Sequence, residues 1–543
     1  MRKRRLAMAL MAGALLLTAC GGTDTTARES AQPTSGGSLT WGVETEPTTL
    51  NPHLNGQGKT RLLLRNTFES LLSRTEDGKY VPWLASGYEV SPDALTYTFT
   101  LREGVRFTDG VPLTANAVAR NFTTLQDTTY TGGWSAWRIS SLATVTARDE
   151  RTVVFTLKNV YAPFLDFASS QEILSPAAFD SPQLKAGGPE IAGTGPFILD
   201  RYVKGQEIHF RKNPEYNWAP QNAKHQGPAY LDEVTYRFLP ESSVRTGALT
   251  SGQVDVIEGI SGNDAGLFQD NGEFTYQHAP DAGSPYALYL NSTYGPAAEE
   301  KVRKALINSV DVDAVLKSIY RGQRTRAWGI VSSADSEFYD RSIERSYGGD
   351  TKAANRLLDE AGWTARDDKG FRTKDGHRLT IDVVQAQSTL RDQRDVLLQA
   401  IQAQAKQNAG IDLEISLVDA GTYAERRKSG TFGSIANNDT ITGGIDIENH
   451  WYPADSGGTL NYSRASDPEL TRWLTAAATT VDTGARAGQY SQLQRYVLSD
   501  KAYAFPLYEP EDQIAAAARV HGAGFRPFKQ FPESAYDVWV DRG

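Results

Sequence analysis

The sulfur of this 543-residue chain is confined to its first twenty positions: one cysteine, Cys20, and three methionines, Met1, Met8 and Met11. A lone cysteine can form neither an internal disulfide nor a Cys-based metal site. Whatever follows residue 20 must therefore fold without cross-links, thiolate ligands or a thiol nucleophile. The composition permits that. Forty per cent of the residues are hydrophobic, and the 10% aromatic share, with 10 Trp and 24 Tyr, is unlike a disordered chain. At this length a single core is not enough, so two or three domains are expected.

The residues around Cys20 read as an export signal. Arg2, Lys3, Arg4 and Arg5 precede an apolar run over 6–17 that is too short for a comfortable membrane span. The run ends in Leu17-Thr18-Ala19-Cys20, which resembles the bacterial lipobox. Small residues there suit a signal peptidase, and the thiol is the nucleophile that takes a diacylglycerol. An ordinary secretory peptide with an incidental cysteine is the alternative. We read 1–19 as a lipoprotein signal peptide, Cys20 as the lipidation site, and 20–37 as a flexible Gly/Ser/Thr-rich tether. Two acyl chains, palmitate for example, anchor stably where one does not. The body is then expected on the extracytoplasmic face of the cell membrane. Cleavage before Cys20 removes four bases and no acid, moving the net charge from −9 to −13. Such a body does not suit nucleic acid; it suits a small solute.

Along the body, 39–43 reads as a strand and 44–52 as a loop. Leu95, Tyr97, Phe99 and Leu101 alternate with threonines, the period of a half-buried strand, and 153–157, 207–210 and 234–238 offer more. Past 284 helices appear, over 301–310 and 352–361, the latter with Ala353, Leu357, Leu358 and Ala361 on one face and Gly362 as its cap. A strand over 379–384, a helix over 393–406 and a strand over 411–418, with Ile411, Leu413, Ile415 and Leu417 on one face, make a strand–helix–strand unit. The fold class is α/β or α+β with several subdomains.

Catalytic motifs do not assemble. Gly56-Gln57-Gly58-Lys59-Thr60 has His53 where a P-loop needs its first glycine, and no hydrophobic strand precedes it. Gly193-Thr194-Gly195 lacks the third glycine of a dinucleotide site and reads as a tight turn. Gly133-Trp134-Ser135-Ala136-Trp137 fails as a nucleophile elbow. The seven histidines are scattered, His450 being the least implausible ligand, and no metal or cofactor is expected. What stands out instead is a set of loops rich in aromatics, amides and glycine. Trp134 and Trp137 share a Gly-rich loop, Tyr286 and Asn291 share a segment, and Asn437-Asn438-Asp439 opens a polar stretch that runs through Asp446 to Trp451. Binding sites combine aromatic walls with a few orienting polar groups. Glu44, at the head of the 44–52 loop, joins these as a candidate substrate-binding residue, although any single aromatic is more simply core.

Several of these segments match a known family. Phe68-Glu69-Ser70-Leu71-Leu72, then 80–90 (YVPWLASGYEV) and 95–110 (LTYTFTLREGVRFTDG), closely resemble the hallmark segment of family 5 extracellular solute-binding proteins. This is the peptide/nickel/opine group of bacterial ABC importers. Further matches follow in order: Gly193-Thr194-Gly195-Pro196-Phe197, Asn213-Pro214-Glu215-Tyr216, Gly252-Gln253-Val254-Asp255, Val302-Arg303-Lys304-Ala305-Leu306 and 357–363 (LLDEAGW). They cover essentially the whole body.

The resemblance implies a periplasmic-binding-protein-like, two-lobed type II fold with an extra subdomain. Lobe I would comprise 38–67, 195–283 and 516–543, the extra subdomain 68–194 and lobe III 284–515, with hinge strands near 281–287 and 509–515. It implies a monomer that is not an enzyme, closing on an oligopeptide or related small organic solute and delivering it to an ABC permease with its ATPase. A nickel or metal-chelate carrier and a peptide-sensing receptor uncoupled from import are the alternatives. Peptide-binding relatives hold the ligand amino terminus with an aspartate in a Trp-x-x-Asp-Tyr-like stretch. Here that stretch lacks the tryptophan and tyrosine, so Asp439 or Asp446 would serve.

Overall fold

The computed structural model describes residues 32–541, apart from 56, 58–59, 61–62, 76–77, 128, 131–138, 263, 282, 336, 440–443, 454–459 and 526–533, and without the side chains of 445 and 446. Cys20, Trp134 and Trp137 lie outside the described residues, as does the side chain of Asp446.

The Thr-alternating segment is a strand, Thr96–Leu101, with Tyr97, Phe99 and Leu101 turned inward. It sits second in a four-stranded antiparallel sheet ordered Ala85–Val90, Thr96–Leu101, Thr152–Leu157, Leu142–Ala147. The helix Ala115–Gln126, capped by the Thr114 side chain on the Ala117 amide, lays Phe122 against this sheet. Phe122 meets Phe155 and Phe167 edge to face at 4.8 and 5.5 Å, the geometry that aromatic quadrupoles favour. One continuous apolar core runs from here into a seven-stranded sheet. That sheet is ordered Phe274–Pro280, Glu511–Ala517, Val256–Glu258, Ser38–Val43, Glu233–Phe238, Glu207–Lys212, Phe197–Val203.

Between the two sheets lies a buried carboxylate. Glu69 accepts from the Trp83 indole at 3.0 Å, the Thr194 hydroxyl at 2.8 Å, the Tyr216 hydroxyl at 2.5 Å and the Trp218 indole at 3.1 Å. Burial drives its pKa up to about 7, against the pull of those donors. Gly193 and Gly195 pass so close to 66–67 that a Cβ would stand 2.1 Å from the Thr67 carbonyl oxygen and 2.5 Å from that of Asn66. The tight turn read from the sequence is thus a close backbone approach, and it delivers Thr194 to Glu69.

The second sheet has six strands, ordered Thr325–Arg326, Ala504–Glu509, Tyr286–Leu290, Ser434–Asn437, Thr380–Ala386, Asp412–Val418. Thr380–Ala386 and Asp412–Val418 run parallel with Ile381 opposite Leu413, joined by the helix Arg394–Ala409, which stops at a left-handed Gly410. The strand–helix–strand unit is therefore present. Leu417 is 40% exposed because its strand is at the sheet edge. In the helix Thr351–Glu360 the inward face centres on Ala354 and Leu358, one residue round from the expected stripe. Both faces of the sheet are covered: Tyr286, Leu288 and Leu290 enter one core, Ala287 and Tyr289 the other.

The chain passes between the two large sheets twice. Phe274–Pro280 leads to Tyr286–Leu290 through 281–285, and Ala504–Glu509 leads to Glu511–Ala517 through Pro510 alone. The crossings touch, the Asp281 amide donating to the Pro510 carbonyl at 2.8 Å. Glu511 through Ala517 already pair with Phe274–Pro280, so the sequence boundary at 515/516 falls inside a strand of the first sheet. The polar stretch 437–452 also differs from the loop expected: Gly444–Trp451 is a helix.

Candidate functional site

The parallel strands Ser38–Val43, Glu233–Phe238 and Val256–Glu258 end on one side, as does Thr380–Ala386 of the second sheet. Carboxyl ends of parallel strands are where open α/β sheets form ligand crevices. A cavity of about 480 Å³ opens there, lined by Glu44, 259–262 and 511–513 from the first sheet's side and by Gln323, Arg324 and 390–393 from the second's. Its size is within the roughly 300–1,000 Å³ of small-molecule sites.

Charged groups of both signs line it. Arg245 is buried, its guanidinium donating to the carbonyls of Glu258, Leu239, Pro240 and Gly259 at 2.5–2.8 Å. It gathers the strand ends into a wall. Gly259 is left-handed at φ 62°, and a Cβ there would meet the Arg245 Nη2 at 3.0 Å and the Glu44 carboxylate at 3.2 Å. Arg324 reaches Asp392 at 3.2 Å and Glu511 at 3.5 Å, spanning the cavity floor. Asp392 and Gln393 both stand at φ 53°, a conformation that costs non-glycine residues energy and tends to persist where function holds it.

Behind this wall Arg394 is fully buried. Its Nε donates to the Tyr508 hydroxyl at 3.0 Å, Nη1 to the Thr389 carbonyl at 2.9 Å and Nη2 to the Asn438 Oδ1 at 2.6 Å. It lies 4.2 Å from the Tyr286 ring centroid, within cation–π reach. Among the described residues no carboxylate forms an ion pair with it; Asp392 connects only through the Tyr508 hydroxyl, at 3.1 Å. The Asn438 Nδ2 is buried without a hydrogen-bond partner among the described residues.

The next residue turns the other way. Asp439 exchanges backbone and side-chain bonds with Ser284 at the first crossing, both at 2.8 Å. Its Oδ2 accepts from His450 Nε2 at 2.9 Å and from the Asn437 amide at 3.2 Å. His450 is stacked on Tyr289 with centroids 5.6 Å apart. Asn437 also donates to the Tyr462 hydroxyl at 2.9 Å.

Of the residues expected from sequence, Glu44 borders the cavity, while Tyr286, Asn437, Asn438 and Asp439 converge on the end of Ser434–Asn437. Asn291 does not join them: its amide donates to the carbonyls of Gly430 and Phe432 and its Oδ1 accepts from Thr293, so it ties backbone inside the fold. Trp451 is 1% exposed and packs in the core near Tyr289, because the segment carrying it is a buried helix. Arg394, Arg324, Asp392 and Arg245 escaped the sequence reading: arginines in the first turns of a helix, as Arg394 and Arg245 are, look like a solvated face, and Arg324 and Asp392 stand in turns without a motif. Among the described residues no group of three His, Cys, Asp or Glu could hold a metal ion. None of their helices is long and apolar enough to cross a membrane.

A model of the bacterial extracellular solute-binding proteins, family 5, middle region, matches residues 79–459. The chain belongs to that family. It is 32% identical over 477 residues to Protein XP55 of Streptomyces lividans, covering 86% of this chain and 83% of that one. Identity to the nickel-binding periplasmic protein of Escherichia coli is 28% over 407 residues, 73% of each chain. The oligopeptide-binding protein AppA of Bacillus subtilis, solved with a nonapeptide, superposes with a TM-score of 0.79 at 20% identity, covering 94% of this chain and all of that one. The fold is thus the two-lobed type II fold of family 5 binding proteins. This family 5 protein is a solute-binding component of an ABC importer, with the family and fold of transport proteins. The cavity is lined from the strand ends of both large sheets.

Proposed function

We propose that the protein captures a short zwitterionic solute, an oligopeptide or related small amide, between its lobes and hands it to the permease. One observation carries the choice of solute. Adjacent residues at the end of Ser434–Asn437 offer opposite electrostatics beside the crossings: Asp439 keeps its Oδ1 unengaged among the described residues, whereas Asn438 connects to the buried Arg394 charge. An ammonium group suits the first and a carboxylate the second, and lobe closure strengthens both by excluding water. Only a solute that binds the closed form better can drive that closure. Asp446, on the helix Gly444–Trp451, is the other carboxylate candidate. Trp134 and Trp137 would supply aromatic walls.

The lobe limits that fit the sheets are 38–67, 195–283 and 511–541 for lobe I and 284–510 for lobe III, with 68–194 as the extra subdomain. We read the chain as a non-catalytic monomer held by lipid on Cys20 at the outer face of the membrane. Isothermal titration with the solute identified from the purified protein tests the site. Asp439→Ala is expected to weaken binding at least tenfold, and unchanged affinity in both Asp439→Ala and Asp446→Ala would remove the carboxylate clamp. Uptake lost on gene deletion separates an importer component from a receptor that only senses.

A further inference from the structure

The lobes meet again outside the two crossings. Arg74, at the end of the strand Leu72–Arg74, lies 3.3 Å from Asp166 of its own lobe and 2.5 Å from Glu337 of the other. The second oxygen of Glu337 accepts from Arg486 at 3.2 Å. The side chains of Arg74, Glu337 and Arg486 are 8%, 19% and 8% exposed. Nearby, the Ala162 amide donates to the Ala478 carbonyl at 2.7 Å, another bond across the same boundary. The Glu337 loop is itself tied to the crossing, the Ser332 amide donating to the Gly283 carbonyl at 3.0 Å and Ser333 to Glu509 at 2.9 Å.

The charges alternate: Asp166, Arg74, Glu337, Arg486. Arg74 pairs with Asp166 on one side of the boundary and Glu337 with Arg486 on the other, so separation leaves two opposite-charge pairs that water can solvate, while Asp335 beside Glu337 adds a further negative charge that draws Arg74 across. Closure joins them through the Arg74–Glu337 contact, which burial strengthens by lowering the local dielectric. Such an arrangement favours the closed state and leaves the open one accessible.

We propose that Arg74 and Glu337 form a closing latch. They are positioning residues that raise affinity by populating the closed lobes, without touching solute. The inference rests on the reading that the lobes close on the solute. Apparent affinity scales with the fraction of protein in the competent state, so weakening the latch weakens binding in proportion. The latch also holds a measurable closed population when no solute is bound.

The absence of sulfur beyond Cys20 makes the test direct. In a Cys20→Ala background, cysteines placed at the exposed Leu267 of lobe I and Leu417 of lobe III carry spin labels for distance measurement without added solute. Two distances are expected. The closed-to-open ratio should fall about tenfold in Glu337→Gln and in Arg74→Met, and be largely kept in Arg74→Lys, which retains the charge. Thermal midpoints taken alongside show that the variants remain folded. Identical two-distance distributions in every variant, or a wild-type chain with only the open distance, would overturn the latch and leave closure on solute standing. A single distance, unchanged by any solute bound to the protein, would remove the closure reading and the latch with it.

Discussion

At the scale of single residues, the proposed solute specificity rests on neighbouring side chains of one strand end that face opposite ways. Asn438 turns to a buried guanidinium and Asp439 to a buried histidine. Arg394 makes no direct ion pair among the described residues, although Asp392 bears on its charge from beyond the Tyr508 hydroxyl, and we propose that it attracts an anionic group. Arg394→Met should therefore cost solute affinity about tenfold or more in titration calorimetry, while Arg394→Lys recovers part of it. Equal affinity in both variants would place the anionic subsite elsewhere. Asp439 was named from the sequence, with Asp446, because the resemblance asks for an aspartate in that stretch; the structure adds its bonds to Ser284 and His450. Arg394 was not: its value depends on Tyr286, Tyr508 and Asn438 converging from three separate strands, a coincidence that spacing cannot show. Trp451 misled for the converse reason, since an aromatic in an apparent loop is buried as soon as that loop coils.

Among elements, two buried carboxyls outside the strands, Glu69 and Glu448, carry a pH dependence. Glu69 sits where Trp83, Thr194, Tyr216 and Trp218 converge, with a pKa raised to about 7 by burial. Glu448, on the buried helix Gly444–Trp451, is raised to about 8 by the same cause, against the Tyr490 and Tyr161 hydroxyls. A raised carboxyl pKa means the folded chain holds its proton more tightly than the unfolded one. The stabilisation is complete below about pH 4.5 and is lost as pH rises through 7 to 8. These two groups should therefore make the protein less stable at pH 8.5 than at pH 5.5, by roughly 1–3 kcal/mol each. Denaturant unfolding at the two pH values measures this, and a Glu69→Gln variant should flatten the difference. A stability that instead rises with pH in the wild type but not in the variant would reverse the sign argued for Glu69. Periodicity found the strands of this region and the strand–helix–strand unit of the other lobe, because those patterns are local. The crossing at Pro510 falls within the expected 509–515, but the boundary at 515/516 falls five residues beyond it, since two strands separated by one residue read as a single run.

At the scale of the whole molecule two crossings join the large sheets; Asp439 is tied to Ser284 at the first, and Glu511, just past the second, meets Arg324 in the cavity wall. Cys20→Ala is expected to release a soluble protein that still binds its solute, read by cell fractionation; a variant that stayed with the membrane would contradict lipid anchoring. The sulfur-free body means that no thiolate or thioether of its own holds the solute. We propose that Asp439, Asn438 and Arg394 hold one zwitterion between the lobes. Native mass spectrometry of the protein purified from its own cells tests this. A bound small molecule with both an amine and a carboxylate is expected, lost in an Asp439→Ala, Arg394→Met double variant. A metal chelate in its place, or the same molecule retained by the double variant, would contradict it.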